Sequence, residues 1–395
     1  MNSSKPVNAL IVDDSAVARE FLAHILSVAG INVIGAVSGG EAAAAFVKQR
    51  RPDIITMDIY MPGIDGIETT RRIMETNPVP IVIVSGNWDP GEVETTFRAI
   101  EAGALSVVRR PYGPGHPRHG ETVSELVRTV KLMSEIKVVR RWPRKPVSDL
   151  QGEKNQKKAF FAPDGPSPVL NGSPGPVQTE DNVQTDKERK KNIRFILIGA
   201  SAGGPPVLQQ ILGSLTCPES AGNESAGNFP FPLLIVQHMA PGFLPGMLDW
   251  LGQTSRVRLR IAEDGETALS GTAYFAPDGF QMGLNGDGTI FLKTGPPEHG
   301  AKPSISYLFR SVAKNSFAGA AIAVLLTGMG TDGAAELKLL RDNGSVTIVQ
   351  DRESSAVYGM PEAAVRLGAA ALALPPDQIS ATLNRFAEKK SYERK

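Results

Sequence analysis

The chain has 395 residues, which points to two or three domains able to bury cores without disulfides or metals. Its 42 Lys and Arg nearly cancel its 41 Asp and Glu, so no overall field selects nucleic acid or an anionic membrane, and no nucleic-acid partner is expected. A single cysteine, Cys217, excludes a disulfide framework, and neither an 18-residue apolar run nor a basic stretch leading into an apolar one occurs, so a cytoplasmic protein without direct membrane insertion is expected.

From Val7 to about Val139, short apolar runs alternate with longer amphipathic stretches, the pattern of a parallel sheet with crossover helices. Strands are expected at Ala9–Val12, Val33–Val37, Ile54–Met57, Ile81–Val84 and Leu105–Val108, enough for a doubly wound sheet. A last helix, from about Glu121, puts Val123, Leu126, Val127 and Val130 on one face.

Asp13 and Asp14 follow the first of these strands and Asp58 the third, so three carboxylates fall at the sheet edge where such folds bind ligands. Clustered carboxylates repel one another unless a cation sits among them, and hard oxygen ligands suit Mg²⁺. Ser85 ends the fourth strand and Arg110 the fifth, adding a hydroxyl and a cation to the same rim. Together these groups can hold a phosphoryl group on Asp58. One acidic residue at a strand end is ordinarily solvated or a helix cap; five positions at the right strand ends favour a site.

Over about residues 5–138 the chain resembles the receiver domains of two-component response regulators. The resemblance rests on Asp13-Asp14, Asp58 with Met61-Pro62-Gly63 and Asp65-Gly66 after it, Ser85-Gly86 and Arg110-Pro111. It implies Asp58 as phosphoacceptor, Asp13, Asp14 and Asp58 as magnesium ligands, Ser85 as switch hydroxyl with Arg110 beside it, and a histidine kinase as phosphodonor. Two positions depart from the family pattern: Arg110 stands where lysine is usual, and Val107 where many receivers carry an aromatic residue.

Beyond Lys137 the pattern gives way to Pro, Gly, Asn, Gln and charge as far as about Asn192, which reads as a linker. Its basic start, Lys137, Arg140, Arg141, Arg144 and Lys145, reads as a solvated charge run. The expected division is therefore 1–138, a linker 139–192, and 193–395. In the last part, strands are expected near Phe195 and at Leu233–Val236, Ala323–Leu326 and Val346–Val349. Arg258–Ile261, Ala273–Ala276, Gln281–Leu284 and Thr289–Lys293, joined by Gly- and Asp-rich turns, read as an antiparallel insertion. The fold class expected is α/β: a doubly wound, five-stranded parallel unit, then a second α/β unit with a mainly parallel sheet and an antiparallel insertion.

After the strand at Phe195 the chain turns through Gly199-Ala200-Ser201-Ala202-Gly203-Gly204 into a helix. Small residues around a serine at a strand-turn-helix junction present its hydroxyl, as a nucleophile requires. The same glycines could instead cradle a phosphate, so a phosphate- or nucleotide-binding module without hydrolase activity is the alternative. A hydroxyl nucleophile needs a base and a group orienting that base. Of five histidines, His238 directly follows an apolar strand, whereas His299 lies in a loop, so His238 is the better base. Asp332 follows another strand, in Thr327-Gly328-Met329-Gly330-Thr331-Asp332-Gly333. Each residue alone reads as a cap or a satisfied polar group; together they read as a triad. Glycines around Met329 would let backbone N–H groups approach an oxyanion. The order Ser, His, Asp differs from that of α/β-hydrolases, a reading that would need Asp278 and His299.

With Gln237-His238-Met239, Ala262-Glu263-Asp264-Gly265-Glu266 and Tyr358-Gly359-Met360-Pro361, residues 193–388 resemble the catalytic domain of chemotaxis protein-glutamate methylesterases. The resemblance implies Ser201 as nucleophile, His238 as general base, Asp332 as its orienter and the Met329 N–H as oxyanion donor. It implies methylated chemoreceptors as substrate, hydrolysis of glutamate methyl esters on their cytoplasmic helices, deamidation of receptor glutamine, and ester chemistry without a cofactor. A monomer is expected. The family often has threonine or serine after the nucleophile; here Ala202 has no hydroxyl.

Overall fold

The computed structural model describes residues 6–86, 90–136, 138, 193–216 and 229–393; the expected linker, 139–192, and Cys217 lie outside them. The first unit runs β1 (Asn8–Val12), α1 (Ala16–Val28), β2 (Asn32–Val37), α2 (Gly40–Gln49), β3 (Ile54–Met57), α3 (Gly66–Thr76), β4 (Ile81–Ser85), α4 (Pro90–Ala102), β5 (Ser106–Arg109) and α5 (His119–Ser134). Its strands pair in the order β2-β1-β3-β4-β5, all parallel. The interior strands β3 and β4 are buried throughout, which is why they read as unbroken apolar runs rather than alternating ones. Ser15 accepts from the Ala18 N–H and Asp65 from the Glu68 N–H, so each caps the helix it precedes. Strand order reverses between β1 and β3, where Asp13 and Asp58 leave the sheet.

The second unit runs β6 (Phe195–Ala200), α6 (Gly204–Gly213), β7 (Leu233–Gln237), α7 (Leu244–Gly252), β8 (Arg258–Ile261), β9 (Thr272–Phe275), β10 (Gln281–Leu284), β11 (Ile290–Lys293), α8 (Ile305–Ala313), β12 (Ala321–Leu325), α9 (Ala334–Asp342), β13 (Val346–Gln350), α10 (Met360–Arg366), β14 (Leu372–Leu374) and α11 (Pro376–Glu393). Seven of these strands form one sheet, in the order β14-β13-β12-β6-β7-β9-β8. The α/β architecture with its antiparallel element is as expected, but the extent of that element is corrected. β8 and β9 pair parallel to each other, and β9 parallel to β7, so both belong to the main sheet. Among the strands of the described residues, only β10 and β11 pair antiparallel. Gly- and Asp-rich turns mark a reversal of the chain without fixing what the next strand pairs with. Here the segment after β8 returns through turns at Gly265 and Gly271, both with positive φ, and inserts β9 between β7 and β8. β14 was not expected; three residues are too short to carry a pattern.

The sheet grows outward in both directions from the β6/β12 pair, so its order reverses there, and ligands bind at such a point. Gly199 in β6 allows the close approach of α8: a Cβ there would lie 2.4 Å from Ile305 Cγ2. The two units share an apolar interface. Helix α4 packs on α7 and α6, with Phe97 stacked on Trp250 at 5.2 Å between ring centroids. Arg128 of α5 donates to the Gly300 carbonyl at 2.8 Å. Among the described residues, no helix is long and apolar enough to cross a membrane.

Candidate active site and N-terminal carboxylate cluster

The β6–β7 register pairs Ala200 with Gln237, so Ser201 and His238 are the first residues beyond two adjacent strand ends. The His238 N–H donates to the Ala200 carbonyl at 2.9 Å, and the Ser201 N–H to Thr327 at the end of β12 at 3.0 Å. Gly203, with φ of 76°, makes the sharp turn into α6, a conformation that a side chain would resist. The 327–330 loop passes close against the serine: a Cβ on Gly328 would fall 2.6 Å from Ser201 Cβ. The turn the sequence suggested is therefore present, and it leaves the Ser201 side chain half-exposed.

His238 Nε2 lies 2.9 Å from Asp332 Oδ2, off the line of a regular N–H···O bond, so the two meet as close polar partners. Asp332 is nearly fully buried and sits at the N-terminus of α8. Its carboxylate accepts from the Ser304 hydroxyl at 2.9 Å and from the Ile305 and Ser306 N–H groups at 2.8 Å each. Burial pushes the Asp332 carboxyl up, but His238 and the Ser306 hydrogen bonds outweigh it and hold the group well below the usual carboxylate range. The folded-state value lies below the unfolded one, so the stabilisation is present at neutral pH and is lost only in strong acid. Asp332 is thus an anion at neutral pH.

Ser304 caps α8 and is itself held, its N–H donating to Gln281 Oε1 at 2.8 Å. Gln281 belongs to β10, so the hairpin braces the residue that braces Asp332. Gln281 and Ser304 were not singled out from sequence, and Gln237 only as part of the Gln237-His238-Met239 motif, without a role. Buried glutamines at strand ends, beside His238 and after Phe280, are the signal that was available.

Met329 is half-buried in the loop beside Ser201, and among the described residues its N–H has no hydrogen-bond acceptor. Thr327 Oγ1 donates to the carbonyl of Ala202 at 3.0 Å, so the residue after the serine is held through its backbone, without a hydroxyl of its own. Ala202, Met329 and Ala356 also pack against the apolar cluster of the N-terminal unit that contains Leu126 and Val130 of α5. The flank of Ser201 is therefore covered by that unit. His299 and Asp278 form no rival constellation. His299 is exposed, with φ of 50°, and Asp278 accepts from the Gly242 N–H, its carboxyl pushed up by burial.

In the N-terminal unit, one carboxylate oxygen from each of Asp13, Asp14 and Asp58 lies within 4.8 Å of the others, a spacing one small cation can bridge. Arg110 reaches both buried carboxylates, at 2.8 Å from Asp13 and 3.4 Å from Asp58. Burial, then the charge of Asp13, pushes the Asp58 carboxyl up to about 6 against the pull of Arg110. Ser85 is buried at the end of β4 on the same rim. Val107 is buried in the apolar cluster that also holds Phe97 and Trp250, so a small aliphatic side chain fills this position.

Residues 196–383 match the family model of the CheB methylesterase, and residues 9–117 that of the response regulator receiver domain. The chain is 47% identical over 386 residues to protein-glutamate methylesterase/protein-glutamine glutaminase 4 of Geobacter metallireducens, covering 97% of the chain and 100% of that relative. It is 47% identical over 385 residues to the protein-glutamate methylesterase/protein-glutamine glutaminase of Nitrosospira multiformis, covering 97% and 98%. A relative of the same description from Syntrophus aciditrophicus is 45% identical over 382 residues, covering 96% and 98%.

Proposed function

The chain belongs to the family of protein-glutamate methylesterases/protein-glutamine glutaminases with an N-terminal receiver domain, and we propose that it demethylates chemoreceptors in the cytoplasm by a Ser-His-Asp mechanism under control of receiver phosphorylation. The observation that supports this reading is that Ser201 and His238 leave adjacent strand ends where the sheet order reverses, with the cradled Asp332, from the loop after β12, brought against His238. His238 takes the Ser201 proton as Oγ attacks the ester carbonyl and returns it to the departing methoxide, releasing methanol. Water, deprotonated by His238, then cleaves the acyl-enzyme to give glutamate and free serine. Glutamine follows the same route with ammonia leaving. The Met329 N–H is assigned to the developing oxyanion, a kind of contact worth about 3 kcal/mol in other acyl transfers.

The direct test is methanol release by the purified chain from its methylated receptor; the phosphate-binding alternative expects none. Asp332→Asn is expected to lower that rate by about 10⁴-fold, because an amide no longer selects the productive imidazole tautomer or stabilises the imidazolium. A loss below about tenfold in the folded variant would remove Asp332 from the triad.

In the receiver, Asp13, Asp14 and Asp58 have the hard oxygen donors and spacing that fit Mg²⁺. When bound, the ion supplies charge neutralisation for a phosphoryl group on Asp58, while Arg110 and Ser85 supply further donors to it. A histidine kinase of the chemotaxis system is the assigned phosphodonor. In this structure the cluster holding α5 covers the flank of Ser201 and α4 packs on α7 and α6, so the phosphoryl group acts by favouring an arrangement in which these contacts are released. A small-molecule phosphodonor is expected to raise methanol release several-fold, and Asp58→Asn to abolish the response without changing the basal rate. An unchanged response in Asp58→Asn would refute control through Asp58. The division into 1–138, 139–192 and 193–395, and a monomeric state, belong to the same reading.

A further inference from the structure

We propose that Gln237 is a positioning residue that ties the nucleophile to the base. Its Nε2 donates to the backbone carbonyls of both Ser201, at 2.9 Å, and His238, at 2.8 Å. The inference rests on the serine-histidine reading above and adds to it the element that sets their relative position. The last backbone bond of the β6–β7 ladder is that from the His238 N–H to the Ala200 carbonyl. Past it the two chains diverge into separate turns, and the buried Gln237 amide is the group that bridges them.

The orientation of the amide follows from its partners: two carbonyl oxygens can be served only by the nitrogen. Oε1 is thereby turned away, buried and, among the described residues, without a hydrogen-bond partner. Such a group is ordinarily avoided, so the paired donation from Nε2 is retained against a cost. Gly204 completes the arrangement. A Cβ at this position would fall 2.2 Å from Gln237 Oε1, so the second glycine of the turn leaves room for the amide, while its own N–H reinforces the Ser201 carbonyl at 2.8 Å. The glycine-rich turn thus serves the bridge between nucleophile and base as well as the presentation of the serine.

Hydroxyl and imidazole must meet within hydrogen-bond reach, and a displacement of about 1 Å costs about 100-fold in rate. Gln237→Met keeps the side-chain volume and removes both donations. In the full chain it is expected to lower kcat for methanol release about 30- to 100-fold, with KM within about twofold, because no substrate-facing group is altered. Gly204→Ala, which drives a methyl group into the amide, is expected to give the same kcat loss. In a Gln237→Ala background the amide is gone and only the 2.9 Å approach to Ala200 Cβ remains, so Gly204→Ala is expected to cost clearly less than it does in the wild-type background.

A kcat within about threefold of wild type in folded Gln237→Met, or full multiplication of the Gly204→Ala and Gln237→Ala effects, overturns the proposal. Should Gln237→Met not fold, Gly204→Ala and the double variant decide. Ser201→Ala assayed alongside separates the two readings. If it remains active, the nucleophile assignment is at fault; if it is inactive while Gln237→Met turns over normally, only the bridge is wrong.

Discussion

Ser201→Ala is expected to lower methanol release by about 10⁶-fold while leaving the chain folded and its receiver able to take up phosphate. The separation of chemistry from folding follows from what the serine contributes to the structure, which is its backbone. Its N–H bonds Thr327, and its carbonyl accepts from Gly204 and Gln237. Those contacts are untouched when Oγ is removed. The side chain stands against Gly328, where a methyl group fits as well as a hydroxymethyl. The substitution therefore removes one nucleophilic atom from an otherwise intact cleft. Unfolding midpoint and phosphodonor uptake monitor the fold, and methanol and ammonia release monitor the chemistry. Both reactions must fall together, since ester and amide hydrolysis share the same acyl-enzyme. Residual demethylation near the wild-type rate in a folded Ser201→Ala protein would exclude the serine mechanism.

The placement of Ser201 and His238 was legible in the sequence because both sit directly after buried parallel strands, whereas Asp332 follows β12 only after a loop of glycines. A strand covered on both faces, such as Phe195–Ala200 or Leu233–Gln237, is a continuous apolar run, and the first polar residue after it falls at the ligand-binding edge. That rule located Ser201 and His238, with Asp13 and Asp58 in the other sheet. Groups acting at a distance along the chain were not legible. Ser304 and the N-terminus of α8 lie 28 and 27 residues before Asp332, and nothing local to either announces that the aspartate will be seated on that helix. The parallel pairing of β8 and β9 failed for the same reason: turn chemistry is local, whereas choice of strand neighbour is set by the packing of the whole sheet. The contact between the units was equally hidden, since nothing local to Phe97 or Trp250 announces that the two rings stack across it.

The cradle around Asp332 accounts for a feature that a bare triad leaves open. A buried carboxylate facing only one imidazole would be desolvated and prone to protonation. Here two backbone N–H groups and a hydroxyl at a helix N-terminus join His238 in holding it ionised against the cost of burial. On the proposed mechanism the aspartate thereby stabilises the imidazolium formed during attack without taking its proton.

His238→Ala is expected to match Ser201→Ala in the size of its loss, about 10⁶-fold, whereas His299→Ala stays within about twofold of wild type. The contrast is informative because both histidines belong to the same unit and neither substitution should unfold it. After loss of the His238 imidazole, Asp332 still accepts from Ser304, Ile305 and Ser306, so no uncompensated charge is left in the core. His299 is exposed in the loop that meets the receiver, and the link there uses the Gly300 carbonyl and Arg128 rather than the imidazole. Its replacement should therefore disturb neither the chemistry nor the contact between the units. If His299→Ala were inactive and His238→Ala active, the base would be the loop histidine, and the 2.9 Å approach of His238 to Asp332 would be only structural. Loss in both variants would mean that the 295–303 loop takes part in turnover. On the proposed mechanism the histidine that touches the cradled aspartate lifts the proton from Ser201 and delivers it to the departing methoxide, and the two variants tell it apart from His299.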